Sequence, residues 1–158
     1  MISNKRKYEI TSNKENILKK TGTDMCYCGT ICERELEKNK EHKWKINIIK
    51  TKRKLIYIGV APFNFDFESP SISNGWYFKC CNRNLFSGPP QNYSNKTINL
   101  KDPFEQIIVI IHMSKGTLKF IIDNEDKGIS FTDIPLDKPL HPALILHDKD
   151  DSVEIDEC

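Results

Sequence analysis

Three cysteines stand close together near the N-terminus, Cys26-Tyr27-Cys28 and then Cys32, and thiolates at such short spacing are what a structural zinc ion takes. The pattern stops there. A closed tetrahedral site needs a second knuckle or properly spaced histidines. Cys80 and Cys81 are adjacent and so face opposite sides of a strand, and His42 stands at no standard distance from the first three. The cysteines read instead as small hydrophobes, and no metal is expected. The run Asp123-Asn124-Glu125-Asp126-Lys127-Gly128 begins like a calcium loop, yet Ile134 holds the twelfth position, where a bidentate Glu is required. A hairpin turn explains it better. Nucleophilic catalysis needs Cys or Ser beside a base. His112 sits inside an apolar run, while His141 and His147 flank a strand with no nucleophile near them in sequence. No nucleophile elbow, P-loop or dinucleotide fingerprint occurs. These residues do not add up to an enzyme, and no cofactor is expected.

Bulk composition narrows the classes further. The chain has 158 residues, 38% hydrophobic and 29% charged, with a net charge of +2. That length suits one domain with a substantial core. Near-neutral charge, carried by Lys far more than Arg, argues against nucleic acid. The first residues are basic but have no apolar segment behind them, so no secretory leader is read here. The longest apolar run, 107–111, is too short for a membrane span. Asn92-Tyr-Ser and Asn95-Lys-Thr fit the glycosylation pattern but read as turn residues. A cytoplasmic location follows, and with it free thiols rather than bridges.

Residues 1–14 are polar and aperiodic, which reads as a flexible arm or a loosely attached edge, with a single domain over 15–158. Beyond them, short apolar runs alternate with turn residues about every ten positions. Strands are expected at 16–21, 25–31, 43–50, 55–61, 75–81, 107–113, 118–123, 129–131, 143–147 and 152–156. Many are rich in Ile, Val and aromatic residues, which suit a pleated surface. Trp44, Ile46 and Ile48 alternate with Lys45 and Asn47, the pattern of a strand with one buried face. The run 107–113 is apolar almost throughout, implying burial on both faces or a central place in a sheet. Ser114-Lys115-Gly116 and residues 124–128 then mark two reversals, Gly128 being free to take positive φ. Residues 32–42 suit a helix by composition but lack an apolar stripe, so a turn is expected. Many short strands without long helices indicate an all-β, two-sheet antiparallel sandwich.

Five blocks in this order resemble the SPRY domain family: His42-Lys-Trp-Lys-Ile-Asn-Ile48, Ile56-Tyr-Ile-Gly-Val-Ala61, Asn74-Gly-Trp-Tyr-Phe78 with Leu85-Phe-Ser87, Ile107–Met113 with Gly116-Thr-Leu-Lys-Phe120, and Leu140-His-Pro-Ala143. The chain departs from the family pattern at Ile108 or Ile110, where Gly is common, and at His112, where Asp is common. The resemblance implies a concanavalin-like jelly-roll sandwich and a role in binding protein or peptide through loops at one end. Trp44, Gly59, Trp76, Leu118, Phe120 and Pro142 would be structural core. It also implies contacts from 62–73, 50–54 and 147–149, which puts Lys52, Arg53, Phe63, Asn64, Phe65, Asp66, Phe67, His147 and Asp148 at the candidate site.

The residues themselves speak to part of this. Phe63, Phe65 and Phe67 alternate with Asn64, Asp66 and Glu68 in a long polar connection. Exposed aromatics are costly unless they pack or meet a partner. Lys52-Arg53-Lys54 is the densest basic cluster; lying beside the phenylalanines, it would favour an acidic target. The aspartates of 148–151, by contrast, read simply as a soluble terminus. A second function class is a lectin-like sandwich, in which Tyr93 near Gln91 and Asn92, or Tyr77, would stack on a sugar.

Overall fold

In a computed structural model of the chain, the described residues are 2–3, 10–14, 16–21, 28–32, 34–62, 75–88, 92–100 and 103–156. Fourteen strands occur among them: β1 Ile2–Ser3, β2 Ile10–Lys14, β3 Ile17–Lys20, β4 Cys28–Cys32, β5 Glu41–Lys50, β6 Ile56–Pro62, β7 Gly75–Lys79, β8 Asn84–Gly88, β9 Asn92–Thr97, β10 Gln106–His112, β11 Thr117–Ile122, β12 Glu125–Phe131, β13 Leu140–Leu146 and β14 Ser152–Asp156. They form two seven-stranded sheets. The first runs β1-β4-β13-β6-β7-β8-β9 and the second β12-β11-β10-β5-β14-β3-β2. Every pairing is antiparallel. The expected all-β sandwich is the fold observed. Two strands, β1 and β2, fall within the first fourteen residues and form sheet edges.

Inward-facing residues of the two sheets meet in one core. Trp44 and Ile46 on β5, Val109 and Ile111 on β10, and Phe120 on β11 face Ile58, Val60, Phe78 and Leu144, each no more than 3% exposed. Phe78 stands at the centre, its ring tilted 5.9 Å from that of Phe104 and 5.7 Å from that of Phe120. Each such side chain contributes about 1.5–3 kcal/mol by leaving water. Leu118 and Pro142 are buried, and Trp76 packs half-buried against the same cluster.

The run 107–113 departs from double burial. β10 does sit inside its sheet, but its residues alternate, with Ile107, Val109 and Ile111 inward and Ile108, Ile110 and His112 outward and partly exposed. The strands buried on both faces are β6 and β13 in the first sheet. A second cluster, Ile31, Tyr57, Ala61, Tyr77, Phe86, Ala143 and Ile145, covers that sheet's other side. The β11–β12 turn is also tighter than expected. Ile122 pairs with Glu125, and Asp123 and Asn124 both take positive φ, 47° and 68°, which is a two-residue type I′ hairpin. Gly128 (φ 74°) lies within β12, where the register slips. The free-thiol expectation fits Cys80 and Cys81, but Cys32 is disulfide-bonded, to a cysteine beyond the described side chains. Bonded sulfur cannot also be a zinc thiolate.

Glycine is forced at position 59. A Cβ there would stand 1.7 Å from the Trp76 carbonyl oxygen on β7, so β6 and β7 approach only because no side chain intervenes. Gly59→Ala is expected to lower the unfolding free energy by about 3 kcal/mol or more, read from the urea midpoint; an unchanged midpoint would refute the close approach.

Candidate interaction surface at the crossover end

Two connections pass from one sheet to the other side by side. Residues 51–55 carry the chain from β5 in the second sheet to β6 in the first, and 147–151 carry it from β13 back to β14. They are neighbours because β13 pairs with β6, Leu146 opposite Ile56, while β14 pairs with β5, Ser152 opposite Lys50. The end of β3 joins them, with Lys19 opposite Ser152. Lys52, Arg53, His147 and Asp148 are thereby brought together.

Asp148 is the pivot. Its side chain is only 4% exposed, and a buried carboxylate needs partners. Arg53 supplies a fork: Nε donates to Oδ2 at 3.0 Å and Nη2 to Oδ1 at 2.6 Å. His147 Nδ1 lies 3.0 Å from Oδ1. The Arg53 hydrogen bonds hold the Asp148 carboxyl down to about 2, against the opposing pull of burial. Asp148 is thus a structural anchor for the tip, and not a surface open to a partner.

Asp151 and Lys20 complete the anchor. Asp151 is 1% exposed; its Oδ1 accepts the Lys52 backbone N–H at 3.0 Å, while Oδ2 is buried without a hydrogen-bond partner. Burial, with help from the Asp148 charge, raises its pKa. Lys20, fully buried, donates Nζ to the His147 carbonyl at 2.5 Å. Its backbone N–H reaches the Asp151 carbonyl at 3.0 Å, and its own carbonyl receives the Asp150 N–H at 2.9 Å. Lys54, at φ 55°, donates its N–H to Thr51 Oγ1 at 2.8 Å and sets its ammonium 4.2 Å from the centre of the Phe104 ring.

Outside this anchor the surface is basic. Lys50, Lys52, Arg53 and Lys149 are exposed, and the Arg53 side chain remains 46% accessible despite its fork to Asp148. Reading 148–151 as merely a soluble terminus is therefore corrected: two of its three aspartates turn inward, leaving the cations outside. Neither Lys20 nor Asp151 stood out in the sequence. The available signal was an acidic pair, Asp148 and Asp151, directly after an unbroken apolar strand.

The phenylalanine connection leaves from the far end of β6. Residues 51–55 precede β6 and residue 63 follows it, so the seven-residue strand separates the two attachment points by roughly 20 Å. The expected adjacency of Lys52-Arg53-Lys54 and the phenylalanines falls on a connection that lies outside the described residues. Phe63, Asn64, Phe65, Asp66 and Phe67 themselves lie outside the described residues. Of the two sugar-stacking candidates, Tyr77 is 0% exposed and cannot present its ring, and the Tyr93 side chain is outside the described set. His112 faces outward, 2.9 Å from Ser114 Oγ, and His141 is buried with Nδ1 2.9 Å from the Cys32 carbonyl. Burial drives the Cys80 thiol pKa far up, opposite to what a nucleophile needs. Among the described residues no cluster of three or more His, Cys, Asp or Glu is arranged to hold a metal ion.

The anchor has a pH signature. The Asp148 pKa in the folded chain lies below its unfolded value near 3.8, so the Arg53 fork stabilises the fold above about pH 4. That stabilisation is lost as pH falls toward 2. Arg53→Ala is expected to cost on the order of 1 kcal/mol at pH 7, since the half-exposed guanidinium is partly screened by solvent, with the difference from wild type shrinking toward zero near pH 2. Denaturation across that range measures it, and a pH-independent difference would contradict the fork.

Comparison with known proteins agrees with this architecture. The SPRY domain family model matches residues 41–156. The crystal structure of the SPRY domain of human HERC1 superposes with a TM-score of 0.80 at 18% identity, covering 98% of this chain and 96% of that one. A human SPRY domain gives 0.72 at 14% identity with the same two coverages. The TRIM65 PSpry domain gives 0.69 at 12%, covering 96% of this chain and 85% of that one. No curated protein sequence matches the chain. SPRY domains are commonly protein-interaction modules. With well over half its length matched and the sandwich in place, this chain belongs to the SPRY domain family.

Proposed function

We propose that the chain is a non-catalytic, cytoplasmic protein-interaction module that docks an acidic segment of a partner protein on its crossover end. The single observation behind this is the sorting of charge there, with Asp148 and Asp151 buried and Lys50, Lys52, Arg53 and Lys149 exposed. Partner carboxylates meet cations first, which steers encounter and selects by charge. The tip is also tied down in advance by the Arg53 fork and the Lys52 N–H bond to Asp151. Binding then spends less free energy on ordering the loop. Residues 63–67 are a second candidate contact region, attached at the other end of β6.

Synthetic Asp/Glu-rich peptides with interspersed aromatics, followed by fluorescence anisotropy, test the reading. Lys52→Glu with Lys149→Glu leaves the anchor intact and is expected to weaken binding by about tenfold or more and to flatten its dependence on salt. Wild-type protein that ignores every acidic peptide at low salt would end this reading. Phe65→Ala probes the other end separately.

A further inference from the structure

Among the described side chains, Cys32 is the cysteine held in a disulfide, and the geometry of β4 narrows its partner. Cys80 and Cys81 are free, which leaves Cys26, Cys28 and Cys158. Cys28 and Cys32 begin and end one extended strand, so their Cα atoms stand about 13 Å apart. That is about twice what a disulfide tolerates. Cys26 precedes Cys28 by two residues and would reach Cys32 only by doubling straight back along a strand whose edges carry β13 and β1.

Cys158 approaches from the other sheet. Ile31 packs in the outer cluster of the first sheet, so Cys32, its neighbour on β4, turns toward the second. There it lines one cavity, of about 310 Å³, with Glu41, Lys43 and Trp44 at the start of β5. β14 runs toward the same place. Ile155 stands opposite Ile46 and Asp156 opposite Lys45, so the direction of that ladder leads on to Trp44 and Lys43. β14 also follows β13 in the chain, and β13 is the strand paired with β4. Two residues beyond Asp156 can span roughly 7 Å and a disulfide about 5.5 Å more between Cα atoms, against about 10 Å between packed sheets. We infer that Cys158 is bonded to Cys32, and that the bond is a redox-sensitive latch tying β14 of the second sheet to β4 of the first.

The surroundings suit a bond that exchanges. The cavity sets Arg34 and Lys43 against one carboxylate, Glu41, and basic neighbours favour the thiolate that attacks and leaves in exchange. Two glutathione thiols reduce the bond and join as one glutathione disulfide, their two protons passing to Cys32 and Cys158; glutathione disulfide drives the reverse. In the cytoplasm proposed above, disulfides are chiefly transient and redox-sensing, but the pairing itself depends neither on that location nor on peptide docking. A bridge from residue 32 to residue 158 closes most of the chain into one loop, the case in which a cross-link restricts the unfolded state most.

The full chain, equilibrated in glutathione buffers from reducing to oxidising and quenched with a thiol-blocking maleimide, tests this by peptide mapping without reductant. Trypsin leaves Cys26, Cys28 and Cys32 together on peptide 21–34 and Cys158 on peptide 150–158. The oxidised chain is expected to yield these two peptides joined, and to melt several degrees above the reduced chain. Cys158→Ser is expected to open Cys32 to labelling and to make melting indifferent to the buffer. Cys26→Ser with Cys28→Ser is expected to keep both the bond and the shift. A bond confined to peptide 21–34, or none at any buffer ratio, would overturn the pairing. A bond that survives reducing glutathione, or that leaves melting unchanged, would overturn the latch.

Discussion

Each time the chain leaves one sheet for the other it gives up a ladder of hydrogen bonds, and the exposed backbone groups must find new partners. At the crossover end this requirement is met from inside. Asp151 takes the Lys52 N–H, Thr51 takes the Lys54 N–H, and Lys20 ties the 147–151 connection to β3 through three bonds. Those carboxylates and the buried ammonium then need company of their own, and Arg53 gives it to Asp148. Satisfying the backbone thus draws charge inward, and the surface cations are left facing solvent. The basic end is in part a by-product of closing the sandwich.

Much of the fold was readable because its strands obey simple alternation. Trp44, Ile46 and Ile48 sit on one side of β5 as their spacing implied, and Gly116 reverses the chain after β10. Of the two readings offered for the apolar run 107–113, a central place in the sheet is the one observed, and double burial is not. Ile108 and Ile110 are as apolar as their neighbours but face outward, and composition alone does not separate a covered face from a bare one. Conversely β6 and β13, which are buried on both faces, carry Gly59, Ala61, Pro142 and Ala143, small or rigid residues that read as weak strand signals. β8 and β9 were missed as strands because 84–97 is dominated by Asn, Ser, Gly and Pro, residues of turns in isolation, held extended here by pairing from Phe86 to Tyr93 and from Asn84 to Thr97.

Part of the candidate site was legible, since the 50–54 and 147–149 connections grouped by the resemblance do lie side by side. Lys52, Arg53, His147 and Asp148 came from motif blocks, and their juxtaposition follows from the β6–β13 and β5–β14 pairings, which no local pattern reveals. Lys20 reaches across 127 positions to His147, and Arg53 across 95 to Asp148. Only tertiary packing makes such partners. The phenylalanine segment was grouped with the basic tip because only about ten residues separate them in sequence; it lies outside the described residues.

The unequal covering of the two sheets has a consequence for how the molecule breathes. Amides of β6 and β13 are sandwiched between two apolar layers, so they are reached by solvent only when the whole domain opens. Those of β12 belong to an edge with one wet face and a broken register, and they escape through local fraying. The slowest-exchanging protons therefore lie in the strands carrying Gly59 and Ala143. The strand that displays Ile129 is expected to exchange faster than either of them.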